Sequence, residues 1–104
     1  MKNKFKPGDI VQRNNWNKEW RIIWAIHNNC YYFVDYDNEK EKWFYNPTKS
    51  AFGFPTMEQK FTRIGEIENL EQLIKDVSEI NRLHNIGFLK AEELLNKHHF
   101  ILSN

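Results

Sequence analysis

With 104 residues, 12.7 kDa and a formal net charge of +1, the chain has room for one domain and argues against any extreme electrostatic partner. Its 40% hydrophobic and 28% charged residues exclude a disordered chain, and 15% aromatic residues mean that large rings must build much of a modest core. The single cysteine, Cys30, excludes an internal disulfide and fits a reducing compartment. No apolar run approaches membrane-spanning length, and "MKNKFKPGDI" has no apolar h-region, so a cytoplasmic protein without a membrane partner is expected. Charge is uneven: residues 1–65 carry eleven Lys/Arg against seven Asp/Glu (+4), and residues 66–104 carry four against seven (−3).

Pro7-Gly8 punctuates the opening, and "DIVQR" then reads as a first strand. "EWRIIWAIH" is a β-rich run in which Trp20, Ile22, Trp24 and Ile26 share an apolar face and Arg21, Ile23, Ala25 and His27 share the other. Asn28-Asn29 suits a hairpin turn because Asn tolerates positive φ. "CYYFVDY" is the return strand, "DNEK" a second turn and "EKWFY" a third strand, which together make a meander. "NPTKSAFGFPTMEQ" is expected to be a long loop, and "KFTRI" a closing strand before Gly65.

After Gly65 the period changes to three and four, through Ile67, Leu70, Leu73, Ile74, Val77, Ile80 and Leu83/His84, which predicts a helix. Asn69 and Gln72 offer a capping box. "NIG" breaks the pattern at Gly87, "FLKAEELLNK" predicts a second helix with Phe88, Ala91, Leu94 and Leu95 on one side, and "HHFIL" is a final strand or an apolar tail. The expected division is a barrel over 1–65 and a helical pair over 66–104, the two forming one unit, with Ile23 and Ala25 as the receptor for the helices. The fold class is α+β, mainly β: a five-stranded barrel, because closure removes exposed edges, with a two-helix appendage packed on it.

"KFKPGDIV" resembles the first strand of SH3-like barrels, the group that includes the KOW, chromo-barrel and Tudor types. Residues 4–45 resemble the Tudor type in particular, through Trp16, "WRIIWAI" from Trp20 and "FVDYDNEKE" from Phe33. In Tudor domains four aromatics and an Asn line a cage for methylated Arg or Lys. The resemblance carries those roles to Trp16, Trp20, Phe33, Tyr36 and Asn38, and rings of this kind hold a cation through their quadrupoles. Asp37 stands where the pattern has Gly, and the long loop and helical tail lie outside the pattern.

Among the indoles, Trp24 is expected inside, Trp20 at the barrel mouth and Trp16 outside. Trp43 and Tyr45 point away from Phe44, so they either face solvent as a contact surface or are covered by loop 46–59 and the helices. The working expectation is a non-catalytic protein that binds through Trp16, Trp20, Phe33, Tyr36, Asn38, Trp43 and Tyr45 to a larger protein or ribonucleoprotein. Small barrels of this kind resemble accessory proteins of bacterial prophages and mobile elements, some of which inhibit host machinery. The alternative is an RNA or single-stranded nucleic-acid binder that uses Lys4, Lys6, Arg13, Lys18 and Arg21, in a basic set that also includes Lys2. The remaining alternative is a small enzyme around Cys30 and His27. The His27–Cys30 pair has no partner pair at zinc spacing, so no metal, cofactor or small-molecule substrate is expected.

Overall fold

The computed structural model describes residues 3–46, 51–82 and 88–103. The expectations for Lys2, Leu83, His84, Gly87 and the Phe88 side chain lie outside what is described. In chain order the elements are β1 (Asp9–Arg13), β2 (Trp20–His27), β3 (Cys30–Asp37), β4 (Lys42–Phe44), β5 (Ala51–Gly53), α1 (Phe54–Lys60), β6 (Phe61–Ile67), α2 (Leu70–Arg82), α3 (Phe88–Asn96) and β7 (Phe100–Leu102). The strands form one antiparallel sheet in the order β4-β3-β2-β1-β6-β7, with β5 also paired to β3. The sheet curls: Phe100 on β7 meets Trp43 on β4 at 5.9 Å between ring centroids, although these strands lie at opposite ends of that order.

The fold is therefore α+β and mostly strand, with seven strands among the described residues where a five-stranded barrel was expected. One of the added strands, β5, comes from the stretch expected as a loop. "AFG" pairs with Cys30–Tyr32, and "FPTMEQK" forms α1 with Pro55 in its first turn, where a missing N–H costs nothing. The other is the C-terminal "FIL", expected as either a strand or an apolar tail, which pairs with Gly65–Ile67, so β6 runs on past Gly65 and the sheet takes in a C-terminal strand.

Local chemistry sets the turns. Asn28 and Asn29 adopt φ of 50° and 60°, the pair of positive values that a two-residue type I′ hairpin needs. Gly8 has φ of 97°, which lets its N–H reach the Ile23 carbonyl at 2.7 Å as the chain enters β1. The Asn69 side chain caps α2 by accepting from the Gln72 N–H at 3.1 Å, while the Gln72 amide reaches forward to Asp76, also at 3.1 Å.

Two cores lie on opposite faces of the sheet. Ile10, Ile22, Val34 and Trp43 pack with Leu73 and Val77 of α2 and Leu95 of α3, flanked by Trp20 and Trp24. On the other face Phe5, Val11, Ile23, Tyr31 and Phe33 pack with Met57 of α1 and with Phe61. The helical pair thus covers the Trp20–Ile22–Trp24 face and not the Ile23/Ala25 face. The physical reason is that the first face offers an unbroken stripe of large apolar groups, and α1 with Phe5 already covers the second. A register shift between Ile23 and Ala25 then turns Ile26 onto the Ile23 side, against the simple alternation. Among the described residues no helix is long and apolar enough to cross a membrane.

Candidate binding surfaces

Trp20, Tyr36 and Trp43 come together, because β2, β3 and β4 are neighbours and these positions share a face. Trp20 lies 4.9 Å from Tyr36 and 6.4 Å from Trp43 between ring centroids, and Phe100 closes the group at 6.5 Å from Trp20. The Trp20 indole N–H donates to Gln12 at 2.7 Å. Trp43 is only 3% exposed, and its backbone is clasped by Asn96 of α3. It is therefore a core residue under the helices and not a surface ring. Tyr45 is half-buried, edge-on to Trp24 at 6.3 Å, and its hydroxyl accepts from Asn81 at 3.2 Å. Trp24, expected inside, is half-buried between Tyr32 and Tyr45.

The five Tudor-type positions do not form one cage. Phe33 is fully buried in the opposite core, Trp16 is in the β1–β2 loop and Asn38 is exposed in the β3–β4 turn. Phe33 does face a cation, but an internal one. The Arg21 guanidinium lies 4.3 Å from the Phe33 centroid, 4.7 Å from Phe52 and 4.8 Å from Phe61. Its Nε donates to Asp35 at 3.1 Å. Burial pulls the Arg21 pKa below its ordinary value despite Asp35, and burial pushes the Asp35 carboxyl above its own despite Arg21. Phe52 and Phe61 were missed as cation partners. The available signal was a lone Arg beside Ile23 and Ala25 on a half-apolar strand face.

The other described members of the basic set are also engaged. Lys4 Nζ donates to the Glu58 carbonyl at 3.0 Å, Lys6 pairs with Asp9 at 2.7 Å, Arg13 with Glu19 at 3.5 Å and Lys18 with Glu41 at 3.5 Å.

Among the described residues Trp16 is the most exposed large ring, at 56%. Its loop is held in place: Asn15 and Lys18 take positive φ, the Arg13 N–H donates to the Glu19 carbonyl at 3.0 Å, and the Asn14 N–H donates to the Lys60 carbonyl at 2.8 Å. The Arg13 guanidinium lies 5.0 Å from the indole centroid, so a cation and a ring are presented together. A second apolar exposure is β7, where Phe100, Ile101 and Leu102 are all partly open to solvent.

A cleft of about 1040 Å³ opens between the β2–β3 turn and α1. Ile26, Asn28 and Asn29 line one side and Phe54, Pro55 and Glu58 the other. The Phe54 N–H donates to the Asn29 carbonyl at 3.0 Å, which ties the two walls together. The Glu58 carboxylate accepts from the Tyr31 hydroxyl at 2.5 Å and the Lys4 N–H at 3.0 Å. These bonds, the Tyr31 one foremost, hold its pKa below the usual glutamate value, whereas burial and Glu58 push the Tyr31 phenol up to about 12. This cleft had no sequence signal, because its walls are brought together by tertiary packing.

His27 and Cys30 face each other across the hairpin register, and among the described residues no group of three or more His, Cys, Asp or Glu side chains is placed to hold a metal ion. His98 and Asp76 form a buried pair at 2.6 Å that joins the segment before β7 to α2. No family model matches the chain, and neither a curated protein nor a solved structure matches it.

Proposed function

We propose that the chain is a non-catalytic binding protein, built on an SH3-like sheet, that docks onto a larger protein or ribonucleoprotein in the cytoplasm. The observation that carries this reading is Trp16, an exposed indole on a hydrogen-bonded loop with Arg13 stacked beside it. Large rings that stay exposed in a fixed geometry lose little entropy on contact and anchor interfaces. The accessory role in a phage or mobile element, including inhibition of host machinery, rests on size and sheet architecture alone.

The stacked Arg13–Trp16 pair also favours a second reading, in which the same loop grips single-stranded nucleic acid through base stacking and phosphate contact. Against it, Lys4, Lys6, Lys18 and Arg21 are committed to carboxylates or a carbonyl of the chain itself.

The test is to capture a partner from cell extract on the immobilised protein, purify it, and measure its affinity for wild type and Trp16→Ala. The docking reading expects a loss of about tenfold or more with modest salt dependence. Unchanged affinity for Trp16→Ala overturns it. Nuclease-sensitive capture with a steep salt slope moves the reading to nucleic acid.

A further inference from the structure

The interior of this protein shows how the chain holds a guanidinium: Arg21 lies against phenyl rings with the Asp35 carboxylate on its Nε at 3.1 Å. The cleft beside the β2–β3 turn brings the same kinds of group to the surface. Phe54 supplies an aromatic wall, Ile26 and Pro55 supply apolar surface for an aliphatic stem, and Glu58 supplies a carboxylate. We propose that this cleft binds the side chain of an arginine presented by a segment of the docking partner. The inference rests on the docking reading and names the chemistry of one contact within it.

Three features support this assignment. First, the carboxylate is pinned. Its Oε2 takes both the Tyr31 hydroxyl and the Lys4 N–H, and the Lys4 ammonium, on the Glu58 backbone carbonyl, offsets part of the carboxylate's charge without bonding to it. A carboxylate fixed in this way costs little to organise around an incoming cation. Second, the walls are rigid. Phe54 packs on Tyr31 at 4.7 Å between centroids, and the facing turn is a positive-φ Asn pair tied to Phe54 by a backbone hydrogen bond. Third, the donor balance favours arginine over lysine. A planar guanidinium can stack on Phe54 and spread several N–H donors over the carboxylate and the side-chain oxygens of Asn28 and Asn29. The cleft volume, about 1040 Å³, accommodates the side chain together with adjoining backbone.

The experiment titrates the full chain, labelled with nitrogen-15, with acetyl-Gly-Arg-Gly-amide, and in parallel with the lysine and citrulline analogues. Saturable shifts of the Asn28, Asn29, Phe54 and Gln59 amides are expected with the arginine peptide. Citrulline keeps the shape but removes the charge, so it should bind about tenfold more weakly. Glu58→Gln should weaken binding similarly, but Glu58 also anchors Tyr31. Gln59→Lys is the second variant: Gln59 also lines the cleft, so a lysine there places a repelling charge on its wall, leaves the Tyr31 bond in place and should also reduce affinity. Absence of saturable shifts at these amides, citrulline or lysine binding equal to arginine, or indifference to Gln59→Lys overturns the proposal. Failure here, while Trp16→Ala still costs partner affinity, removes the cleft and leaves the docking reading standing.

Discussion

The Asn96 side chain acts as a strand neighbour for Trp43. Its Oδ1 accepts from the Trp43 N–H at 2.7 Å and its Nδ2 donates to the Trp43 carbonyl at 2.8 Å, the two-bond pattern an adjacent strand would supply. The same Nδ2 also donates to the Glu92 carbonyl at 2.8 Å, inside α3. One residue thus closes part of the β4 edge and fixes α3 over Trp43. Asn96→Ala should lower stability by about 2 kcal/mol, because it strips two backbone groups of their partners beside a buried ring. Asn96→Asp should recover part of this at most, since a carboxylate accepts from the N–H but repels the carbonyl. Urea melts of the three proteins test the ranking.

Gly65 is the point where β7 lies on β6. A Cβ built there would run into the Ile101 carbonyl oxygen and come within 2.9 Å of the Leu102 Cα, and both are backbone atoms that cannot swing aside. Beyond it, β7 is fastened by the Glu68 N–H to the His99 carbonyl at 3.0 Å and by the Ser103 N–H to the Ile64 carbonyl at 2.6 Å. Gly65→Ala should therefore release β7 and leave the rest of the sheet folded. Amide exchange should rise at Phe100–Leu102 and tryptophan emission should shift to the red as Trp20 and Trp43 lose Phe100. Unchanged protection at Ile101 would count against this packing.

Asp9 gives the acid limb of stability. Burial alone would raise its pKa, but hydrogen bonds from the Lys6 side chain and backbone and from Arg63 outweigh burial and hold it below the ordinary aspartate value. The unfolded chain therefore protonates first. The stabilisation is fully present above the unfolded-state pKa, about 4, and is lost as pH falls through the lower folded-state value. Asp35 has the opposite sign: its raised pKa favours the folded state at low pH and costs stability as pH rises through the folded value. Comparing Asp9→Asn with wild type cancels that contribution. The variant should be less stable by about 2 kcal/mol at neutral pH, with the gap closing below about pH 4. A gap that stays constant with pH would exclude the charge as its source.

Much of the fold was legible because it is written in short-range chemistry. The β2–β3 turn follows from two Asn residues that accept positive φ, the α2 start from Asn69, and α2 and α3 from three- and four-residue apolar spacing. The illegible parts depend on contacts distant in sequence. Alternation along "WRIIWAIH" cannot register the shift between Ile23 and Ala25, so it assigned Ile26 to the wrong face. Trp43 in "EKWFY" reads equally as a surface ring or a covered one until Asn96, 53 residues on, places α3 above it. The aromatic surroundings of Arg21 draw on Phe33, Phe52 and Phe61, from three different strands, and no local pattern links them.

Arg21 should not tolerate its nearest substitute. Its guanidinium serves three rings and one carboxylate at once, and a lysine ammonium is a point charge that cannot stack in the same way. Arg21→Lys should cost about 1–2 kcal/mol. Arg21→Ala should cost about 3 kcal/mol, because it leaves Asp35 partly buried without its counter-ion. Restoring stability by adding Asp35→Asn to Arg21→Ala would identify the stranded carboxylate as the main source of the loss, and denaturant melts of the double mutant read this directly.

Trp16 and Trp43 divide the roles that the indoles play. Trp16 is 56% exposed and Trp43 3%, so iodide should quench one and spare the other. Trp16→Phe should remove most of the iodide-accessible emission and change stability by no more than about 0.5 kcal/mol, as expected for a surface position. Trp43→Phe should leave the accessible fraction intact but cost about 1–2 kcal/mol, because a smaller ring underfills the space beneath α3 and beside Phe100. The contrast matters for function. A partner-binding defect in a Trp16 variant of undiminished stability belongs to the contact itself, whereas a defect in a Trp43 variant belongs to the fold that presents it. If Trp16→Phe destabilises the protein as much as Trp43→Phe, the loop is part of the core, and Trp16 loses its claim as a docking residue.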